Sequence, residues 1–311
     1  MQYIWKVWEK EMHLSEACKC YSDILILSPE EAQITRFNTK ELKKKKITAV
    51  MGGYDSKWYK TYFKSKVNLH LWPNFFLYHM IAMNKEFDTP DTEIKYLFTC
   101  LNARPHLHRV IMLDTLKKYN LLDTNIYSWN DKDPKNVNKH FNDYVPKYWR
   151  YKHVTIDNYN QDPEVKLRTL PLEVHQSLIN LVTETFTDVP FITEKTYKNF
   201  IFGKPFLVFG FPGIHNHLKY MGFKLYDSII DYSFDKEQDD IKRCNMIVEQ
   251  LAKLSNKDLN VLNQQMKEVT IYNKQHAIDI VKSEIGIPDI VRDYQKYIDI
   301  IDKTKINLQT L

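Results

Sequence analysis

Glycine, alanine and arginine are scarce in this chain, at seven each among 311 residues, against 37 lysines. Each glycine and arginine is therefore more informative than usual. The four cysteines, at positions 18, 20, 100 and 244, form no CxxC pair and no zinc-ligand spacing, so reduced thiols in a cytosol are expected. No run of residues approaches the roughly 18 apolar residues that a membrane helix needs. The segment Met1–Glu11 has no apolar signal-peptide core, and a cytosolic location is expected. Walker loops, HExxH and GxSxG are all missing, which removes the common signatures of NTPases, zinc proteases and serine hydrolases. Internal repeats are absent, and the one biased tract is the lysine run Lys43–Lys46.

What is present suits a soluble enzyme with sizeable cores. Hydrophobic residues make up 43% of the chain, and its length predicts two domains of about 150 residues each. Buried strands are expected at Ile24–Leu27, Ile47–Met51 and Lys95–Cys100. A helix is expected from Phe76 to Phe87. Another has Leu107, Val110, Ile111 and Leu116 on one face and ends near Asn120. Strands alternating with helices point to doubly wound parallel sheets. The polar, proline-broken stretch 157–173 reads as a linker, which places a first domain at 1–160 and a second at 161–311. From Asp239 onward helices dominate. Ile241, Cys244, Val248 and Leu251 share one face, and Leu259, Leu262, Met266 and Val269 share another. A last helix follows Pro288.

The most informative stretch is Phe191 to Gly210. It reads as a short strand, an N-cap at Thr193, a helix and a second buried strand. A helix N-terminus offers unpaired N–H groups and a partial positive charge, which suit a phosphate. Glu194 and Lys195 fall in the first turn. The carboxylate can accept from ribose hydroxyls, and the ammonium can pair with a diphosphate. Glycines at 203, 210, 213 and 222 crowd the same region, where tight turns would bring backbone close to a ligand. The plain alternative is an ordinary capped helix with solvated charges.

Thr193-Glu194-Lys195, its short helix and Lys204-Pro-Phe-Leu-Val-Phe-Gly210 resemble the donor-binding segment of the α-1,3-fucosyltransferases. They resemble still more a group of fucosyltransferase-like glycosyltransferases of phages and bacteria. Ser177–Thr185 is similar to the family strand that ends in a glutamate, here Glu184. Leu101–Arg109 is similar to an Asn…Arg segment that opens a helix. The resemblance is strongest over 177–235, weaker over 96–129 and faint over 1–90. It implies an α/β fold of two Rossmann-like domains facing a cleft, the glycosyltransferase-B architecture, with the nucleotide-sugar donor on the C-terminal half and the acceptor on the N-terminal half. It further implies that Arg109 and Lys195 hold the donor diphosphate, that Glu194 holds the ribose and that Glu184 shapes the pocket. The final helix would cross back to the N-terminal half, as in many proteins of that fold. With the chain divided at residue 160, Arg109 would reach the diphosphate from across the cleft. Asp231–Asp235 would close the donor loop.

The donor would be a UDP- or GDP-sugar, and no cofactor or metal is required. Asp131-Lys-Asp133 matches a metal-binding pattern but stands in a polar loop without further oxygen ligands. His106 and His108 lack a third ligand and are expected at the surface or the acceptor cleft. Asp55, after Gly52-Gly53, is the expected base, with Asp91 and Glu93 as alternatives. Residues 42–66 carry eight lysines and one aspartate. Lys43, Lys44, Lys45, Lys46, Lys57 and Lys60, interleaved with Trp58, Tyr59, Tyr62 and Phe63, would suit a nucleic acid. The competing reading of those rings is a core-facing stripe. The acceptor is therefore either duplex DNA with hydroxymethylated pyrimidines, whose base would be flipped out, or a surface glycan. A non-catalytic nucleotide-sugar-binding protein is the remaining alternative. A monomer or homodimer is expected.

Overall fold

The computed structural model describes residues 2–6, 20–21, 23–30, 45–63, 67–83, 90–102, 106–129 and 169–309. The chain is α/β, and its strands form two four-stranded parallel sheets. It separates into two compact units. One comprises Met1–Lys85, Asp188–Glu194 and Ile280–Leu311, and the other Glu86–Thr187 and Lys195–Asp279.

The first unit carries strands β1 (Gln2–Lys6), β2 (Asp23–Ser28), β3 (Lys46–Met51) and β4 (Val67–Leu71), paired in that order. Ile24 to Leu27 are all buried, as a parallel strand covered on both faces requires. Helix α1 (Ser56–Phe63) follows β3, and α2 (Phe75–Met83) follows β4. Between β3 and α1 the backbone passes very close to its neighbours. A Cβ on Gly53 would lie 2.0 Å from the Tyr59 ring, so glycine is required there. Gly53 also bridges to Phe191, and the Tyr54 amide donates to the Pro190 carbonyl at 3.1 Å.

The last helix, α9 (Gln295–Leu308), packs on α2 in this unit. Helix α2 is apolar almost all round and needs cover on several sides. Its final carbonyls have no partners within the helix. Asn307 Nδ2 donates to those of Ile81 and Ala82 at 2.8 and 3.0 Å, and Thr304 Oγ1 adds a bond to the Tyr78 carbonyl, within the helix, at 3.0 Å.

The second unit carries β5 (Tyr96–Asn102), β6 (Ile126–Trp129), β7 (Ser177–Thr183) and β8 (Phe206–Phe209), in the order β6-β5-β7-β8. Its helices are α3 (Leu107–Lys118), α4 (Leu172–His175), α5 (Glu194–Ile201), α6 (Ile214–Tyr220), α7 (Asp240–Leu254) and most of α8 (Leu259–Lys282). Asn120 adopts φ 57° just beyond α3, the left-handed conformation that stops a helix. Helix α7 buries Cys244, Ile247, Val248, Leu251 and Leu254, whereas Ile241, expected on that face, is exposed.

The units do not divide at residue 160. Residues 157–168 of the expected linker lie outside the described residues, and Leu172 begins α4. Strand β5 pairs with β7, Phe98 opposite Ile179, so β5, α3 and β6 belong to the second unit. A pairing across some eighty residues leaves no local mark in the sequence. Asp91 and Glu93 therefore lie in the second unit too, exposed and ahead of the amino end of β5.

Lys204, just before β8, is buried and donates to the carbonyls of Ser177 and His175. Burial pushes its ammonium down to about 7 from the usual 10.5. His175 is also held below its usual value, first by burial and then by Lys204. Because the folded value is the lower one, the unfolded chain binds the extra proton between these two pH values. Stability therefore rises with pH above 7 and is lowest and flat below it. In urea titrations from pH 6 to 9, Lys204→Met should flatten that rise, which for one proton reaches at most about 1.4 kcal/mol per pH unit. Equal slopes in both proteins would show that Lys204 titrates normally.

Candidate functional site

In the second sheet the chain leaves β5 toward β6 on one side and leaves β7 toward β8 on the other. The carboxyl ends of β5 and β7 therefore flank a topological switch point, where open parallel sheets bind ligands. Thr183 Oγ1 donates to Asn102 Oδ1 at 2.5 Å and levels the two strand ends. Asn102 is tied to β6 as well, its amide donating to Ser128 Oγ at 2.9 Å.

Glu184 leaves β7 at this edge with no exposed surface. A buried carboxylate is tolerated only when it is supplied with donors. Thr196 Oγ1 donates to Oε1 at 2.6 Å, and the Thr185 amide to Oε2 at 3.2 Å. The Glu184 carbonyl in turn accepts from His108 Nε2 at 2.7 Å. One residue thus joins the segment after β7, the helix α5 and the helix α3. Asn180 Nδ2 adds a second tie to α5 by donating to Asn199 Oδ1 at 2.7 Å. With both carboxylate oxygens engaged inside the protein, Glu184 shapes this edge and does not reach outward.

Helix α5 begins at Glu194, directly after the buried Thr193. Glu194 and Lys195 are half-buried, and Lys195 Nζ donates to Thr185 Oγ1 at 3.2 Å. Arg109 stands in the first turn of α3 and is 3% exposed. It belongs to the same unit as Lys195, so it does not approach from the other half as a division at residue 160 would require.

His108 is the main surprise. It is buried, with its ring against His106 at 5.6 Å and against Phe209 at 6.1 Å. Burial pushes it well below the usual imidazole range. The charges of Arg109, His106 and Lys195 act in the same direction, and the bond to the Glu184 carbonyl opposes them. A carbonyl partner requires the proton on Nε2, so His108 is a neutral donor here. Its sequence neighbours gave it the look of a surface residue. Only the pairing of β5 with β7 turns it inward.

Three of the four glycines expected to approach a ligand serve helix ends. Gly203, Gly213 and Gly222 have φ values of 58°, 88° and 91° beside the termini of α5 and α6. Gly210 is different. A Cβ there would meet the Glu184 side chain at 3.3 Å. The segment around Asp235 does fold onto this turn, since Asp235 Oδ1 accepts from His215 Nδ1 at 2.8 Å and its carbonyl from the Gly213 amide at 2.7 Å.

In the first unit, Asp55 Oδ1 accepts from the Trp58 amide at 2.9 Å and so caps α1. Tyr59 enters the core, while Trp58 and Tyr62 stack on each other at 5.2 Å and stay half-buried. The expected core-facing stripe is thus Tyr59 alone among the rings at 58, 59 and 62. Lys57 and Lys60 are exposed on α1. Lys45 donates to the Tyr21 carbonyl at 2.9 Å, and Lys46 opens β3 and is exposed. Strand β3 separates Lys45 and Lys46 from Lys57 and Trp58, which follow its far end. Lys43, Lys44, Asp131 and Asp133 lie outside the described residues. Among the described residues no group of three His, Cys, Asp or Glu side chains could hold a metal ion, no helix is long and apolar enough to cross a membrane, and Cys20, Cys100 and Cys244 are free thiols.

No protein-family profile and no curated protein matches the chain. Among solved structures it is similar to a DNA-modifying enzyme, a β-glucosyltransferase whose substrate is uridine diphosphoglucose. The identity is 15% over 89% of this chain and 82% of that one, with a TM-score of 0.41. A likeness at this level says nothing about this chain's substrate.

The Thr196–Glu184 bond can be tested directly. Thr196→Val leaves a buried carboxylate oxygen without its donor and should lower stability by about 1–3 kcal/mol, visible as a fall of several degrees in Tm. Thr196→Ser keeps the hydroxyl and should restore most of the loss. Equal melting of all three proteins would show that Glu184 does not depend on Thr196.

Proposed function

We propose that this protein is a glycosyltransferase of the two-Rossmann type, which moves a sugar from a nucleotide-diphosphate sugar to a hydroxyl. The observation that carries the reading is that Arg109, in the first turn of α3, and Lys195, in the first turn of α5, follow the strands whose carboxyl ends flank the switch point of the second sheet, and both oppose protonation of His108. A field that keeps a proton off an imidazole also attracts an anion. The chemistry needs cations to stabilise the departing diphosphate and a base to take the acceptor's proton. Half-buried Lys195 would contact a phosphate oxygen, beside the positive N-terminal end of α5. Arg109, more deeply set, would supply charge from behind. Glu194 would hold the ribose, and Asp55 of the first unit is the candidate base. The sequence likeness to fucosyltransferases supports these roles, and no metal is needed for them.

The test is titration of UDP, GDP, uridine and guanosine into the protein. At least one diphosphate should bind, and Lys195→Ala should weaken it by about tenfold or more, an effect of about 1.4 kcal/mol, while hardly changing nucleoside binding. Equal losses for diphosphate and nucleoside would remove Lys195 from the phosphates. Slow release of free diphosphate from a nucleotide sugar separates an enzyme from a binding protein.

For the acceptor, the exposed Lys46, Lys57 and Lys60 and the half-buried Trp58–Tyr62 stack favour DNA carrying hydroxymethylated pyrimidines over a surface glycan. Three phosphate contacts predict a slope of about −2.7 for log affinity against log salt. Replacing Lys57 and Lys60 with serine should flatten it by about 1.8. Mass spectrometry of hydroxymethylated DNA, incubated with UDP- and GDP-sugars, should show a sugar added to the base. Salt-insensitive binding with no added mass would leave the glycan as the acceptor.

A further inference from the structure

We infer that the first turn of α7 is a clamp that fixes the two loops bordering Glu184 and thereby sets how tightly the donor nucleotide is held. The inference rests on the nucleotide-sugar reading above. Its centre is Arg243, one of seven arginines in the chain and 2% exposed. Nη2 donates to the Gly210 carbonyl at 3.0 Å, and Nη1 to the Glu237 carbonyl at 2.7 Å. The same guanidinium pairs with the carboxylate of Asp240, one turn earlier. The other oxygen of Asp240 accepts from Thr187 Oγ1 at 2.5 Å. Phe209 lies beneath, its ring centre 5.3 Å from the guanidinium carbon.

The two loops held in this way are those of the candidate site. Thr187 belongs to the segment that leaves β7 with Glu184 and Thr185, and Gly210 ends β8. Gly210 lies against Ile214 and Glu184, and a Cβ there would sit tightly, 3.2 and 3.3 Å from them. A displacement of either loop is therefore felt at Glu184, and through Thr185 at Lys195. A buried arginine needs its charge matched, and here Asp240 matches it and both Nη atoms are engaged, while Nε has no hydrogen-bond partner among the described residues. Its rigid fork reaches two carbonyls and a carboxylate lying in different directions, which a lysine ammonium on a flexible stem does not reproduce. Helix α7 has no need of the clamp for its own start, because Asp239 already caps it by accepting from the Lys242 amide at 2.9 Å. Arg243 and Asp240 are thus positioning residues that act through Gly210 and Thr187.

The test uses Thr187→Val, which removes only the outer bond, and Arg243→Lys, which keeps the charge and loses the fork. Two readouts are taken on the full-length protein: amide hydrogen exchange of residues 184–190 and 210–213 without nucleotide, and calorimetric titration with UDP and GDP. Thr187→Val should retain its Tm within a few degrees, exchange faster in both loops, and bind the preferred diphosphate about three- to tenfold more weakly, the effect of one lost hydrogen bond. Arg243→Lys should shift both readouts further, and should it fail to fold, Thr187→Val decides alone. Unchanged exchange in Thr187→Val overturns the clamp. Faster exchange with unchanged affinity overturns its link to the donor. Failure of the wild-type protein to bind either diphosphate overturns the nucleotide reading, and with it the donor role of the clamp. Wild-type binding that the variant keeps in full leaves the nucleotide reading standing and overturns only the donor role of the clamp.

Discussion

A carboxylate with no contact with water has to be supplied with donors by the chain around it, and much of the second unit's carboxyl edge is arranged to do so for Glu184. Thr196 can donate only if α5 lies against the end of β7. The Thr185 amide can donate only if the chain turns immediately after the strand. The Glu184 carbonyl engages His108 only if β5 and β7 are neighbours. Each condition restricts the path of one segment. Together they leave little freedom in the placement of Lys195 and Arg109. The penalty for burying a charge without partners far exceeds the net gain from any one of these bonds, so the arrangement is fixed by avoidance more than by attraction.

The electrostatics follow from the same packing. His108 is held neutral because burial and three nearby cationic groups oppose its protonation. As a neutral donor it can serve the Glu184 carbonyl without bringing a further charge into the interior. The positive field stays directed at the edge of the sheet. The unit thus combines a rigid, internally satisfied frame with an excess of cationic side chains above it. Anion-binding sites gain from that division, because groups already held in place lose little freedom when the ligand arrives.

Much of the architecture could be read from the sequence because it is written locally. The apolar runs at Ile24–Leu27 and Ser177–Thr183 gave the strands, and Thr193 with the charged turn after it gave the start of α5. Asn120 marked the end of α3. The division of the chain could not be read in this way. It depends on β5 pairing with β7, a contact without a short-range signature, whereas the return of the last helix to the first unit was expected from the fold that the resemblance implies. The same blindness misplaced Arg109 and hid His108, Thr196 and Arg243, whose roles exist only once distant segments meet. Asp55 shows a further limit, since nothing in the sequence marked the carboxylate after the two glycines as the cap of a helix.

The unit that opens the chain is also the one closed by its last described helix. Residues 86–187 and 195–279 are complete on the ribosome while Gln295–Leu308 is still to be made, and at roughly 5–20 residues per second that interval lasts seconds. During it, α2 has neither its apolar cover nor the Asn307 and Thr304 donors for its carbonyls. The second unit in sequence is thus the first that can finish folding. For the same reason neither unit is a contiguous cassette. A break anywhere between β5 and β7 would divide a sheet, and loss of the C-terminal helix would strip α2 of its cover, so the two units can be gained, lost or exchanged only together.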